Sequence, residues 1–431
     1  MKRTNVFLLL LVAIGFILRV SFILVSRDYV NPVAYESGLI AENIVAGKGF
    51  AFQSWLAKEV EPTAWIPPFY PFFLAFFFKY FGPYKYLAVQ LVQGLVLACL
   101  VYPAYGLGNL FHNRKTGLLA AIFVTIYPPF IYYTRVIIYD GFFTFGVTTS
   151  LYALVLLSRS PSYPKAAFAG VLLGLSNLIS PVLQPFSLLA VFWVYQVLKG
   201  TRKRWTYPLI VFAVCLTTVM PWVVRNYIVF HRFVPIRTSF GYNLWLGNRP
   251  GFPGAIDPTR SYKGIKFRRI TEEERQLLQE MDDATRDHYL SRVAVRYILN
   301  DPLAFLKRTL YRVYAYWWIS EKFPRGEPLK EGAIQEASSL VGLRKLNLAL
   351  LYLFGVLGFI LSIKKWKMHI LFFLLFLTFT AVYGITQSSL SRNRLPAEPP
   401  LLIYAAFAIA WGWERIKSKQ GYDTLGRKEC R

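Results

Sequence analysis

Two carboxylates and a set of arginines carry most of the chemistry available to this chain. Glu36 lies in "NPVAYESGLIAENIVAGKGF" (31–50), and on a helix it shares a side with Asn43, seven residues on. Ala34, Gly38, Ala41 and Val45 form the other, small-residue face, suited to docking on neighbouring helices and turning Glu36 toward a groove. A carboxylate placed that way can act as a general base. Asp140, in "YYTRVIIYDGFFTF", sits where an apolar run begins, and a carboxylate there must face protein or water rather than lipid. These two are the candidate catalytic residues, with an ion pair to Arg135 as the structural alternative for Asp140.

The arginines are Arg225, Arg237, Arg249, Arg392 and Arg394, and guanidinium groups grip phosphate in a bidentate manner. Arg394 has Glu398 four residues on as a structural partner. The expected substrate-binding set is Asn43, Glu61, Arg225, Arg237, Asn248, Arg392 and Arg394, with Glu59 and Glu61 as rivals of Glu36 for the proton. Glu42 is the contrasting residue, expected to be solvated or paired with Lys48. Four histidines and three cysteines, Cys99, Cys215 and Cys430, show no metal-ligand or disulfide spacing. No certain cofactor follows, and a divalent metal ion beside a phosphate stays open. Phosphate loops, nucleophile elbows and HExxH are absent from the sequence.

The elements that must position these groups are membrane helices. Hydrophobic residues make up 55% of the 431 and charged residues 17%, against roughly 25% for soluble domains. Apolar runs near 6–26, 86–110, 117–134, 138–157, 165–180, 182–198, 206–224, 342–363, 369–386 and 397–413 predict about ten spans. The net charge of +26 concentrates in short connectors such as "FHNRKTG", "KGTRKRW", "KKWKMH" and "ERIKSKQ". That is the positive-inside pattern of cytoplasmic loops, so nucleic acid is not the expected partner. Both termini are then cytoplasmic, and residues 1–26 read as an uncleaved first span in the cytoplasmic (inner) membrane.

The organisation follows: an N-terminal membrane module (1–224) containing a first outer loop (27–85), a large outer region (225–340), a C-terminal membrane module (341–413) and a basic tail (414–431). In the first outer loop, "PPFYPFFLAFFFKYFG" predicts a proline-led helix lying at the interface. The outer region divides into an aromatic, Gly/Pro-rich loop with one short strand, a helix opening on Thr271 and Glu274 as a capping box, and an interfacial helix from Pro302. The fold class is an all-α membrane protein with one larger mixed outer loop.

Outside the cytoplasm there is no nucleotide sugar, so transfer chemistry there draws on a membrane-carried activated group. A polyprenyl-phosphate sugar fits: its tail lies among the spans, its phosphate meets the arginines, and a carboxylate deprotonates the acceptor hydroxyl, as in inverting glycosidases. At this point the chain resembles the polytopic GT-C glycosyltransferases related to protein O-mannosyltransferases and lipid A aminoarabinose transferases. The resemblance is carried by "LRVSF", "YESGLIAENIVAGKGF", "PTAWIPPFYPFFLAFFFKYFG", "YPPFIYYTRVIIYDGFFTF", "PWVVRNYIVFHRFVPIRTSFGYNLWLGN" and "RNRLPAEPPLLIYAA", in that order over most of the chain. It implies a GT-C-type helical bundle, a lipid-phosphate sugar donor, a lipid, glycan or protein acceptor, catalysis by an acidic residue of the first outer loop, and a second acidic motif at Asp140. Members often place Asp, commonly Asp-Glu, at the catalytic point, whereas here Glu36 follows Tyr35. No large C-terminal soluble domain is expected. The competing readings are an O-antigen ligase or polymerase using a diphosphate-linked donor, and a lipid or solute transporter, which repeats and broken midplane helices would favour.

Overall fold

The structure, a computed structural model, describes residues 2–54, 56–250, 271–318, 338–386 and 391–426. Cys430 and the parts 251–270 and 319–337 of the expected outer region lie outside the described residues. The described residues are mostly helical, with almost no sheet. It runs α1 (Lys2–Ser26), α2 (Tyr35–Val45), a two-stranded antiparallel ribbon of β1 (Ala51–Phe52) and β2 (Glu61–Pro62), then α3 (Phe69–Tyr80), α4 (Lys85–Cys99), α5 (Val101–Phe111), α6 (Arg114–Ile126), α7 (Pro128–Tyr132), α8 (Asp140–Arg159), α9 (Tyr163–Ile179), α10 (Gln184–Val197) and α11 (Thr206–Phe230). After these come α12 (Phe240–Asn248), α13 (Glu272–Gln279), α14 (Asp283–Asn300), α15 (Pro302–Trp318), α16 (Ser338–Leu361), α17 (Trp366–Ile385) and α18 (Glu398–Gly426).

Five helical stretches among the described residues are long and apolar enough to cross a bilayer: Arg3–Ser26, Gly82–Phe111, Asp140–Arg159, Thr206–Phe230 and Gly342–Leu361. A sixth appears if Arg114–Ile126 and Pro128–Arg135, bent by 45°, are taken together as one broken span. The runs expected at 165–180, 182–198, 369–386 and 397–413 are also helical, as α9, α10, α17 and α18.

Two departures from the expected spans have local causes. The run 117–134 breaks at Tyr127, whose extended backbone (ψ 116) follows from the prolines at 128 and 129, because a residue before proline avoids the helical region. The run 86–110 is interrupted at Leu100, and Pro103 lacks the N–H that would bond back to Cys99.

The bundle packs through small residues, as helices in lipid must when no hydrophobic drive brings them together. At α16 against α18, a Cβ added to Gly358 would stand 1.9 Å from the Tyr404 carbonyl oxygen, so only glycine permits that approach. A separate apolar core joins α2, the ribbon region, α11, α12, α13 and α14. There Ile40 of α2, Phe50 and Phe52 of the ribbon strand region, Trp65, Trp222 of α11, Ile236, Trp245 of α12 and Leu278 and Leu290 of α13 and α14 are buried together.

The stretch expected as loop with a short strand holds helix α12 instead, and the single helix expected over 271–301 is two. Thr271 caps α13 by accepting from the Glu274 amide, and Asp282 restarts the chain by accepting from the Thr285 amide.

Polar bonds tie this lobe to the ribbon. Asp283 is buried, and its Oδ2 accepts from Thr63 Oγ1 (2.8 Å), the Ala64 amide (2.9 Å) and Thr238 Oγ1 (2.7 Å). Arg286, one turn on, pairs with Glu61 (2.8 Å) and donates to the Leu278 and Met281 carbonyls. Removing the shared acceptor strands three buried donors, so Asp283→Ala should cost about 3 kcal/mol and Asp283→Asn about half as much. Equal thermal midpoints for wild type and Asp283→Ala in detergent would contradict this.

Candidate active site

Glu36 is the second residue of α2, after Tyr35, which holds a left-handed backbone at φ +49, a strained setting for a bulky residue. Docking of the small face is partial: Gly38 and Ala41 are buried with Ser37 and Ile40, while Val45 is exposed. Glu36 is half-buried and makes no ion pair or hydrogen bond among the described residues. Its charge acts on two phenols, Tyr35 and Tyr242 of α12. Burial raises both phenols above their ordinary value, and Glu36 adds to the effect. The contrasting residue, Glu42, is exposed and faces Lys85 at 4.0 Å rather than Lys48.

Asp140 begins α8 as a buried carboxylate, and its Oδ2 lies 3.7 Å from the Arg392 guanidinium without a hydrogen bond. The expected alternative is therefore not realised: Arg135 pairs with Asp28 and with the Tyr132 hydroxyl instead. Burial works against the charge on Arg392, but Asp140 and the phenols of Tyr139, Tyr133 and Tyr35 outweigh it and keep the guanidinium protonated. Tyr35 lies within electrostatic reach of both Arg392 and Glu36.

Arg237 is half-buried and makes no hydrogen bond or ion pair among the described residues, while its charge reaches Tyr139, Tyr383 and Asp287. Arg249 is buried with its guanidinium 4.9 Å from the Trp245 ring centre, beside Tyr242. Thus Glu36, Asp140, Arg237, Arg249 and Arg392 are linked through a shared set of tyrosines.

The other expected residues are occupied elsewhere. Asn43 donates to the Ala51 carbonyl (2.9 Å). Glu61 is held by Arg286; burial pushes its carboxyl up and the guanidinium opposes that. Arg225, inside α11 rather than at its exit, donates to the Thr63 and Phe50 carbonyls and lies against Trp222. Asn248 donates to the Leu244 and Ile385 carbonyls and accepts from Arg312. Arg394 pairs with Glu398 at 3.0 Å and bonds the Tyr316 carbonyl. Glu59 is exposed, and so are His231 and His288. Among the described residues no three of His, Cys, Asp and Glu come together as a metal-ligand set.

Sequence reasoning missed Asp283 and Asp287. The signal was present, because Asp283, Asp287, Leu290 and Ala294 fall on one helical face, with acids on the apolar stripe. Asp287 accepts from the Gly241 and Tyr242 amides, at 2.6 and 3.3 Å, and so caps α12. Gly241 is required here, since an added Cβ would lie 2.0 Å from the Asp287 carbonyl oxygen.

With this geometry in place the chain can be set beside solved structures. The archaeal oligosaccharyltransferase AglB from Archaeoglobus fulgidus, solved with an inhibitory peptide and a dolichol-phosphate, matches 98% of this chain and 52% of its own length, at TM-score 0.56 and 14% identity. The chain has a GT-C fold. The same archaeal enzyme in complex with Zn and sulfate matches at TM-score 0.52 and 14% identity, over 96% of this chain and 50% of that one. The likeness to ArnT from Cupriavidus metallidurans, bound to undecaprenyl phosphate, is looser: TM-score 0.41 and 12% identity, over 93% of this chain and 77% of that one. The chain thus spans about half the length of the archaeal enzyme it matches. No protein-family model and no curated protein sequence matches it.

Burial pushes the Asp287 carboxyl up to about 7, against the pull of the Tyr242 and Gly241 amides. The unfolded chain releases this proton near ~3.9, so the stability this group contributes is full below about pH 4 and is lost as pH rises to about 7. Asp287→Asn keeps an acceptor and removes the titration, so its thermal midpoint should gain on the wild type between about pH 4 and about pH 8. A constant offset across that range would contradict the assignment.

Proposed function

We propose that this protein is a membrane glycosyltransferase that moves a sugar from a polyprenyl phosphate to an acceptor hydroxyl at the outer face of the cytoplasmic membrane. The observation that carries the reading is the half-buried Glu36, which makes no hydrogen bond or ion pair among the described residues and acts on the Tyr35 phenol, as does Arg392, the partner of Asp140. The GT-C fold supports it, and so does the complex of the archaeal AglB with a dolichol-phosphate.

In this reading Glu36 takes the proton from the acceptor hydroxyl as its oxygen attacks the anomeric carbon. The bond from that carbon to the phosphate oxygen breaks, and the pair of electrons leaves with the lipid phosphate. Attack from the face opposite the phosphate inverts the anomeric centre. Arg392, aimed by Asp140, and Arg237 meet the charge that grows on the leaving phosphate. Glu61 is a poor base while a buried guanidinium holds it, and Glu59 is exposed outside the tyrosine set.

The experiment is transfer by the purified protein in lipid from radiolabelled polyprenyl-phosphate sugars. Glu36→Gln should lower turnover by about 10³-fold while leaving donor binding intact, the loss expected when a general base is removed. Retained transfer in a folded Glu36→Gln protein would sink the base assignment. Arg237→Ala should raise the donor KM by roughly 10-fold, whereas Glu59→Gln should change neither constant.

A further inference from the structure

The break between α6 and α8 leaves carbonyl groups without helical partners, some of them buried, and an unmet carbonyl in an apolar interior is costly. The structure satisfies them with three side chains. Arg19 of α1, fully buried, donates to the carbonyls of Val124 and Thr125 at the end of α6 (3.3 Å each). Gln90 of α4 donates to the Arg135 carbonyl (2.6 Å). Gln93, one turn along the same face, donates to the Thr134 and Val136 carbonyls, at 3.1 and 2.9 Å.

Gln93 differs from the other two because its own oxygen is used as well. Tyr70 of α3 donates to Gln93 Oε1 at 2.5 Å, and both side chains are buried. The Tyr70 ring packs edge-on against Tyr139 (6.5 Å between centroids) and tilts onto Phe142 (6.2 Å), the residues that flank Asp140. One amide therefore clamps the backbone of 134–136 to the proline-led helix of the first loop. Four residues later the chain reaches Asp140.

We propose that Gln93 is a positioning residue for the Asp140–Arg392 pair, holding the 134–136 backbone against Tyr70 so that Asp140 enters α8 at a fixed place. The role rests on the glycosyl-transfer reading of the site, and Gln93 itself touches no substrate. Removing it frees two carbonyls and the Tyr70 hydroxyl at once, so the corner that carries Asp140 loosens.

The test uses the full chain in lipid nanodiscs, with hydrogen–deuterium exchange of residues 133–141 and turnover with radiolabelled polyprenyl-phosphate hexoses and pentoses as separate readouts. In Gln93→Leu, exchange over 133–141 should rise by ~10-fold while α16 and α18 keep wild-type protection. Turnover should fall by about 100-fold, the scale of an ångström-level misplacement. The Gln93→Leu/Asp140→Asn double variant should fall no lower than Asp140→Asn alone, since the two act through one pair. Unchanged exchange at 133–141, wild-type turnover, or losses that multiply in the double variant would each overturn the proposal.

Tyr70→Phe keeps Gln93 and its carbonyl bonds, so it serves if Gln93→Leu does not fold; it should lower turnover by ~5-fold, again without compounding Asp140→Asn. A multiplying loss there overturns the proposal equally. If the wild type transfers no sugar from any donor, the glycosyl-transfer reading fails, and the exchange result alone still decides whether Gln93 holds the corner.

Discussion

The Asp283 carboxylate is the point on which the site-bearing lobe depends. It is the first residue of α14, and it takes hydrogen bonds from the ribbon strand region at Thr63 and Ala64 and from Thr238 beyond α11. Three stretches far apart in sequence are thereby fixed at one oxygen. Arg237 is adjacent to Thr238, and Trp65 to Ala64, so the segment that carries Arg237, which has no hydrogen bond or ion pair among the described residues, is placed by this bond. Burying such a charge is costly in isolation; the neighbouring Arg286 at 3.9 Å and the three donors offset that cost.

The same economy of charge explains which groups are left for chemistry. Glu61, Asp28, Glu398 and Asp283 each sit beside an arginine, and Asp287 is taken by helix α12. Arg225, Arg312 and Arg394 are likewise consumed by backbone carbonyls. After these pairings Glu36 and Arg237 remain without a hydrogen bond among the described residues, and Asp140 keeps only a long approach to Arg392. Tyr35, Tyr139 and Tyr242 lie within electrostatic reach of these groups, so their charges act on phenols as well as on one another. In a medium of lower dielectric those charges act over a longer range.

Much of the fold was legible in the sequence, because membrane helices announce themselves by length and apolarity. The proline-led start of α3, the Thr271 cap and the helix from Pro302 could all be read locally. The break at Tyr127 was legible too in principle, since the prolines at 128 and 129 forbid a straight run. The site was readable only in part. Glu36, Asp140, Arg237 and Arg392 could be singled out by type and place, but nothing local says that Arg135 prefers Asp28 and leaves Asp140 to Arg392. Partners separated by more than two hundred residues are chosen by tertiary packing, as Thr63 and Asp283 illustrate.

The backbone at Tyr35 sets two demands against each other. Its left-handed conformation favours glycine, which would relieve the strain and steady the start of α2. Glycine would also delete the phenol on which both Glu36 and Arg392 act. Stability and chemistry therefore pull this one position in opposite directions, and a library selected for heat resistance alone would drift there toward a better-folded but emptier site.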